Sequence, residues 1–427
     1  MFMRRASTIA TLVGTALLVP AFGAAQNVAI TNVKIIVGSG QVIDSGTIIV
    51  RDGKLATVTG GAVQIPRGLQ VIDAKGMSAM PGFIDGHKHL ADDPTAKAWM
   101  QSLLEAGYTT VLIGGGAAEA NLALAKKIES GEYNGPRAIP SGTIALRQTP
   151  LEARMAVQAL AQMGIKHTGE IGLTPEPAPP QAEIEVLRAI VDEAKKVGIQ
   201  VNVHAVSSPA MVAAIDAGVT RLVHLPNKDW TSYEQAEAVA KAGAIVAGLI
   251  AFGAPNIDTL SQGPAPVQWP KDNTARFRDG KGWPEAIVGA NRDAKGRATG
   301  TEGGFTIINA RRIWDADPNH TTISYSTDQN ADDLVVLEHE LKSFSIVFSM
   351  ADIHRIIGPN AARFVGMADQ IGTLEPGKLA DIILLDGDAT KNIYEMLKTK
   401  VVLKEGRIVV DKRPAAATTG RPPGSTR

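Results

Sequence analysis

The chain has 427 residues, 44% of them hydrophobic and 20% charged, which is enough for a large core and more than one compact unit. Its 43 basic residues balance 43 acidic ones and no basic tract runs through the body, so charge gives no case for nucleic acid, and a small molecule is the expected partner. Cysteine is absent, which excludes disulfides, thiolate metal ligands and a cysteine nucleophile, and leaves histidine, carboxylate or a modified lysine for any metal site.

The first 25 residues read as a cleavable secretory signal: Arg4 and Arg5, an apolar run over 9–19, Pro20, then Gly23-Ala24-Ala25 before Gln26. The run is too short to span a bilayer stably, so the expectation is export to the periplasm or beyond, with no membrane span after cleavage. Residues 26–80 hold short β segments broken by glycine, at 28–36, 46–51, 54–59 and 69–73. A β-rich piece of matching character returns at 372–386, 401–403 and 407–410. Neither half holds a full core, which predicts that 26–80 and 366–412 pair into one small β-sandwich side domain beside a central unit, 81–365. Residues 413–427, with Pro414, Pro422 and Pro423, read as a disordered tail.

Within the central unit, strand-like and helical segments alternate. Strands are predicted at 82–88, 109–113, 137–143, 164–167, 200–205, 221–225, 244–250 and 322–327. The clearest helix covers 181–197, where Ile184, Leu187, Ile190 and Val191 form a stripe opposite Glu185, Arg188, Asp192 and Lys195. Eight strands with covering helices predict an α/β fold, a (β/α)8 TIM-like barrel, whose site lies at the C-terminal strand ends.

Polar residues fall at those ends. His87 and His89 close the first strand and project the same way, because side chains alternate along a strand. Lys166 closes the predicted fourth strand, His204 the fifth, His224 the sixth and Asp328 follows the eighth. Each alone has a plain alternative: a core histidine, a solvated lysine, a helix N-cap. Together at one barrel mouth they outline a metal site.

With these residues in place, the sequence resembles the metal-dependent amidohydrolase superfamily, in its branch of imidazolonepropionase-like amidohydrolases and Xaa-Pro or Xaa-Arg dipeptidase relatives. The resemblance covers roughly 28–412 and includes Leu379-Ala380-Asp381-Ile382-Ile383 after the barrel. It implies two divalent metal ions, zinc by default, with His87 and His89 on one and His204 and His224 on the other. It further implies that Lys166, carboxylated by CO2, bridges them, and that Asp328 binds metal and handles the proton. Homo-oligomers are common in that family, though no residue here demonstrates an interface. The chemistry suits the residue types: paired ions hold and activate a water, and Asp328 passes its proton to the leaving nitrogen.

The resulting expectation is a binuclear hydrolase of an amide bond in a dipeptide, an N-acyl amino acid or an amide-bearing xenobiotic or mycotoxin. Alternatives are a mononuclear deaminase or imidazolonepropionase-like ring hydrolase, an ester or lactone hydrolase on the same site, and a non-catalytic binding protein. Asp85 is read either as a support for a ligand imidazole or as a turn residue. Lys88 and His167 should face away from the metals, and His320, His339 and His354 are read as surface or helix residues. The long segment 251–320, rich in glycine and proline, is expected to wall the substrate, with Trp269, Arg276, Arg278, Trp283 and Arg311 as candidate contacts.

Overall fold

The chain opens into sheet. A computed structural model describes residues 26–251, 291–292, 298–299, 302–328 and 332–414, so the predicted signal, the tail beyond 414 and most of segment 251–320 lie outside the described residues. Strands β1 (Val28–Ile36), β2 (Val42–Arg51) and β3 (Lys54–Gly60) run antiparallel, and β4 (Gln70–Asp73) and β5 (Met77–Pro81) lie parallel to β1. The β2–β3 turn is Asp52-Gly53, both at positive φ (50° and 78°), the Asp-Gly pair that a tight hairpin of the favoured hand requires.

From Phe83 onward strands and helices alternate. The order is β6 (Phe83–Lys88), α1 (Ala96–Ala106), β7 (Tyr108–Ile113), α2 (Ala118–Glu129), β8 (Arg137–Ile139), β9 (Ser141–Gly142), α3 (Pro150–Gln162), β10 (His167–Gly172) and α4 (Gln181–Val197). It continues through β11 (Gln200–His204), α5 (Ser208–Asp216), β12 (Arg221–Val223), α6 (Tyr233–Lys241) and β13 (Ile245–Gly248). After the short pair β14 (Asn291–Arg292) and β15 (Ala298–Thr299) come α7 (Glu302–Asp315), β16 (Ile323–Tyr325), α8 (Asp333–Val347) and α9 (Met350–Arg355). Local chemistry sets these bounds: Thr149 and Glu152 form a capping box ahead of Pro150, and α4 buries its predicted Ile184, Leu187, Ile190 and Val191 before Gly198 ends it at φ 73°. Each of those side chains contributes about 1.5–3 kcal/mol on burial.

Strands β6-β7-β8 form one parallel sheet and β9-β10-β11-β12-β13-β16 another, both in chain order. The predicted third strand is split at Pro140, which has no N–H to give a ladder. Hydrogen bonds join the sheets: Ser141 Oγ donates to the Ile113 carbonyl at one junction, and the Asp328 amide donates to the His87 carbonyl (2.9 Å) at the other.

One strand departs from its prediction. The sequence pattern predicts the fourth at 164–167, whereas it runs from His167 to Gly172. Gly164, at φ 80°, still belongs to the turn that leaves α3, and the strand itself, His-Thr-Gly-Glu-Ile-Gly, is too polar and glycine-rich to announce itself. The segment after β13 also holds more order than a loop: α7 buries Phe305, Ile307, Ile308, Ile313 and Trp314.

The end of the chain returns to the first sheet. β17 (Ile382–Asp386) pairs antiparallel with β5, from Ile382 opposite Pro81 to Asp386 opposite Met77, and β18 (Thr399–Lys404) and β19 (Arg407–Asp411) extend the edge. Together they make one sheet of order β19-β18-β17-β5-β1-β2-β3, with β4 on β1. A cluster that includes Val28, Ile30, Ile48, Leu55, Ile382, Leu384 and Val401 draws on both ends of the sequence. No helix among the described residues is long and apolar enough to cross a membrane.

Candidate metal centre

The C-terminal ends of five parallel strands bring six side chains to one point. His87 lies on β6 with His89 just beyond it, Glu170 on β10, His204 at the end of β11, His224 after β12 and Asp328 after β16. Glu170 is central. Its Oε1 lies 3.1 Å from His89 Nε2, and its Oε2 lies 2.9 Å from His204 Nδ1, 3.4 Å from His224 Nε2 and 3.6 Å from His87 Nε2. Asp328 faces it, with Oδ1 3.4 Å from His87 Nε2 and 3.3 Å from His89 Nε2, and Oδ2 3.6 Å from His224 Nε2. Two trios of donor atoms, His87/Glu170/His224 and His87/His89/Asp328, each lie within 4.8 Å of one another, a spacing at which one cation can be shared.

The electrostatics suit cations. Burial opposes ionisation of Glu170, but hydrogen bonds from His204, His224 and His89, with His87 nearby, hold its carboxyl far below the usual range. Burial likewise opposes the charge on Asp328, and His87, His224 and His89 outweigh it to keep that carboxyl low. His224 is pushed down to about 4, chiefly by burial, so its ring is a neutral ligand at ordinary pH. His87 is 1% exposed, and its Nε2 has no hydrogen-bond partner among the described residues. A buried nitrogen aimed at two carboxylates, with no proton acceptor in bonding geometry, fits a coordinating role.

Backbone geometry serves the same point. His224 and Asp328 adopt positive φ (68° and 49°), which costs a non-glycine residue about 1–2 kcal/mol and is held here by the amide bonds of His224 to the Ala247 carbonyl and of Asp328 to the His87 carbonyl. Gly114 and Gly115 follow β7 against the two first histidines. A Cβ on Gly114 would run into the His87 ring, and one on Gly115 would sit 3.1 Å from His89 Cε1.

The sequence matches the Amidohydrolase family over residues 78–409. The chain belongs to the amidohydrolase family. An imidazolonepropionase of Geobacillus kaustophilus is 23% identical over 462 aligned positions, 96% of this chain and 98% of that one. In fold the chain is similar to a putative prolidase from Bifidobacterium longum (TM-score 0.70, 22% identity, 92% of this chain and 97% of the other). It is also similar to the A. niger ochratoxinase (TM-score 0.67, 18% identity, 91% and 96%). The chain spans 31% of the length of uncharacterized mycobacterial relatives that are 30% identical to it over 198 residues.

In this member of the family the fourth strand does not present Lys166. That residue is exposed, immediately precedes β10, and offers its carbonyl to the Gln200 amide (2.8 Å) at the beginning of β11. Glu170 lies four positions further along the strand, roughly 13 Å away, so a carboxylated Lys166 stands at the wrong end to bridge anything between the histidines. Glu170 occupies the expected place, and shifting the strand by the turn at Gly164 is what would have found it. Arg311, a candidate substrate contact by sequence, is instead buried, paired with Asp315 (2.9 Å) and bonded to the Val347 carbonyl (2.8 Å), so it anchors α7 to the end of α8. Trp269, Arg276, Arg278 and Trp283 lie outside the described residues.

The supporting residues behave largely as read. Asp85 is fully buried but touches no imidazole; its carboxylate accepts the His87 amide (3.0 Å), the Thr327 amide (3.1 Å) and the Thr327 hydroxyl (2.6 Å), tying the ends of β6 and β16 together. Lys88 points away from the cluster, to Asp333 (3.3 Å) and Thr327 (3.3 Å). His167 faces away as well, against the Val365 carbonyl (3.1 Å). His320 stacks on Trp314, while His339 and His354 lie on α8 and α9. The N-cap of α8 is Asp332, which removes the alternative reading of Asp328.

Proposed function

We propose that this chain is a metal-dependent hydrolase of an amide C–N bond in a small molecule such as a dipeptide, an N-acyl amino acid or an amide-containing xenobiotic or mycotoxin. One observation carries the reading: four imidazoles lie within 2.9–3.6 Å of the Glu170 carboxylate, with Asp328 opposite. In this reading His87, His89 and Asp328 would hold one divalent ion and His204 and His224 a second, with Glu170 available to either. Zinc suits such a set of neutral imidazoles and carboxylates. When bound, paired ions lower the pKa of a water and polarise the carbonyl to be cleaved. Asp328, ionised and fixed through its amide to His87, accepts a proton from the attacking water and returns it to the leaving nitrogen. His224 stays neutral and the Asp85 bonds hold the two strand ends in register, so the donors need little rearrangement.

The reading takes the two parallel sheets as arcs of one (β/α)8 barrel over 81–365, with residues 26–80 and 366–412 as a sandwich-like side domain, and the first 25 residues as an export signal. N-terminal sequencing of the secreted protein tests the last point by finding Gln26 first. The prolidase and ochratoxinase of like fold favour a small amide substrate. The match to an imidazolonepropionase along its length favours a second reading, a one-metal hydrolase of a cyclic amide. Elemental analysis of the purified protein separates the two: about two metal equivalents per chain, with hydrolysis in a panel of N-acyl amino acids and dipeptides, supports the first. One equivalent supports the second. No binding after reconstitution with zinc refutes both.

A further inference from the structure

A cavity of about 360 Å³ opens between α2, β8 and the β18–β19 hairpin. Its lining mixes apolar and charged side chains. Leu122, Ala125, Ile128, Ala138 and Pro140 supply apolar lining, Arg137, Lys404 and Arg407 supply cations, and Lys126, Glu129 and Glu405 complete the lining. The cavity runs along β8, from Arg137 at its start to Pro140 just after it, and none of its lining residues belongs to the histidine cluster.

The cationic side is built rather than incidental. The Arg137 guanidinium is held by Thr110 (2.8 Å), Asp381 (2.8 Å) and Glu405 (2.7 Å), and Glu405 is itself fixed by its amide bond to Asp381 (2.8 Å). Lys404 is 6% exposed, and its one hydrogen bond among the described residues goes to the Gly135 carbonyl (2.6 Å). An ammonium has three donors, so two remain for another acceptor. Burial pushes Lys404 down to about 8, the charges of Arg137 and Arg407 pulling with it and those of Glu405 and Asp381 against it. Burying an ammonium against an apolar wall is costly unless an anion joins it.

We propose that this cavity binds a small organic monocarboxylate with an apolar body, the carboxylate on Lys404 and the body against Leu122, Ala125 and Ile128. The site lies between the last segment of the chain and the α2–β8 unit, a position typical of ligand sites between structural units. It is separate from the histidine cluster and does not depend on the activity assigned there.

The test is calorimetric titration of the full, metal-loaded protein with phenylacetate and with its neutral analogue phenylacetamide. Two variants accompany the wild type: Lys404→Met removes the charge and keeps the stem, and Ala125→Trp fills the apolar side while leaving Lys404 intact. The expected result is one phenylacetate per chain, bound about tenfold more weakly by each variant and poorly replaced by the amide, a difference of about 1.4 kcal/mol. Circular dichroism identifies a variant that has not folded, and the other then decides. Equal binding by wild type and both variants would place phenylacetate elsewhere, at the histidines for instance, and overturn the proposal. Absence of wild-type binding at millimolar concentration, or equal affinity for the amide, would overturn it as well.

Discussion

Replacing Glu170 by glutamine keeps the shape of the side chain and removes its charge. Its Oε2 faces His204 at 2.9 Å, His224 at 3.4 Å and His87 at 3.6 Å, so an NH2 group there turns an acceptor shared by three imidazoles into a donor. Losing one charge-assisted hydrogen bond costs about 1.5–3 kcal/mol. Loss of partners one step outside a metal site already costs 10–100-fold in metal affinity, and a direct ligand must exceed that range, so the expected loss is roughly a hundredfold or more, at least about 2.7 kcal/mol. The assay is metal content after dialysis against a graded chelator, with turnover measured on the same samples. Lys166→Ala is the control and should leave both unchanged, because Lys166 lies exposed at the far end of its strand. Full metal retention in Glu170→Gln, with loss in Lys166→Ala, would refute the reasoning and return the bridging role to the lysine.

Asp328→Asn, assayed at saturating metal so that its own lost ligand is compensated, should lose roughly 10²–10⁴ in kcat, the size of a proton-transfer contribution; full turnover rejects that role. Lys88→Met leaves Asp333, 1% exposed at its side chain, without the buried cation at 3.3 Å, and should destabilise the protein by about 3–5 kcal/mol in urea unfolding; an unchanged midpoint contradicts this. Acid stability depends in part on His354, which burial pushes down to about 4 from an ordinary 6.5 while Nε2 bonds the Ala389 carbonyl. Its folded value is depressed, so its contribution is complete above pH 6.5 and is lost as pH falls towards 4, about 3 kcal/mol in all. His354→Gln retains a donor and should flatten that part of the pH profile, His167 leaving a residual slope of the same sign; an unaltered profile between neutral and acid pH sinks the assignment.

Periodicity and chain order made much of this protein legible in the sequence. The alternation along α4, the His-x-His pair at the end of β6 and the two half-sheets at the chain ends depend on local patterns that any one segment displays by itself. His87, His89, His204, His224 and Asp328 were readable because each falls at the end of a strand-like run. Glu170 was not, since its strand is polar, flanked by glycine, and begins three residues later than a short αβ connection ending at Gly164 implied. Lys166, beside a histidine, offered a more familiar ligand in the wrong register. The insertion of Gly114 and Gly115 against the first two histidines, the binding of Asp85 to Thr327 across 242 residues, and the placing of Lys404 over α2 were decided only in three dimensions. Local sequence fixes which face of an element is apolar, but which faces meet, and at what register, depends on contacts between residues hundreds of positions apart.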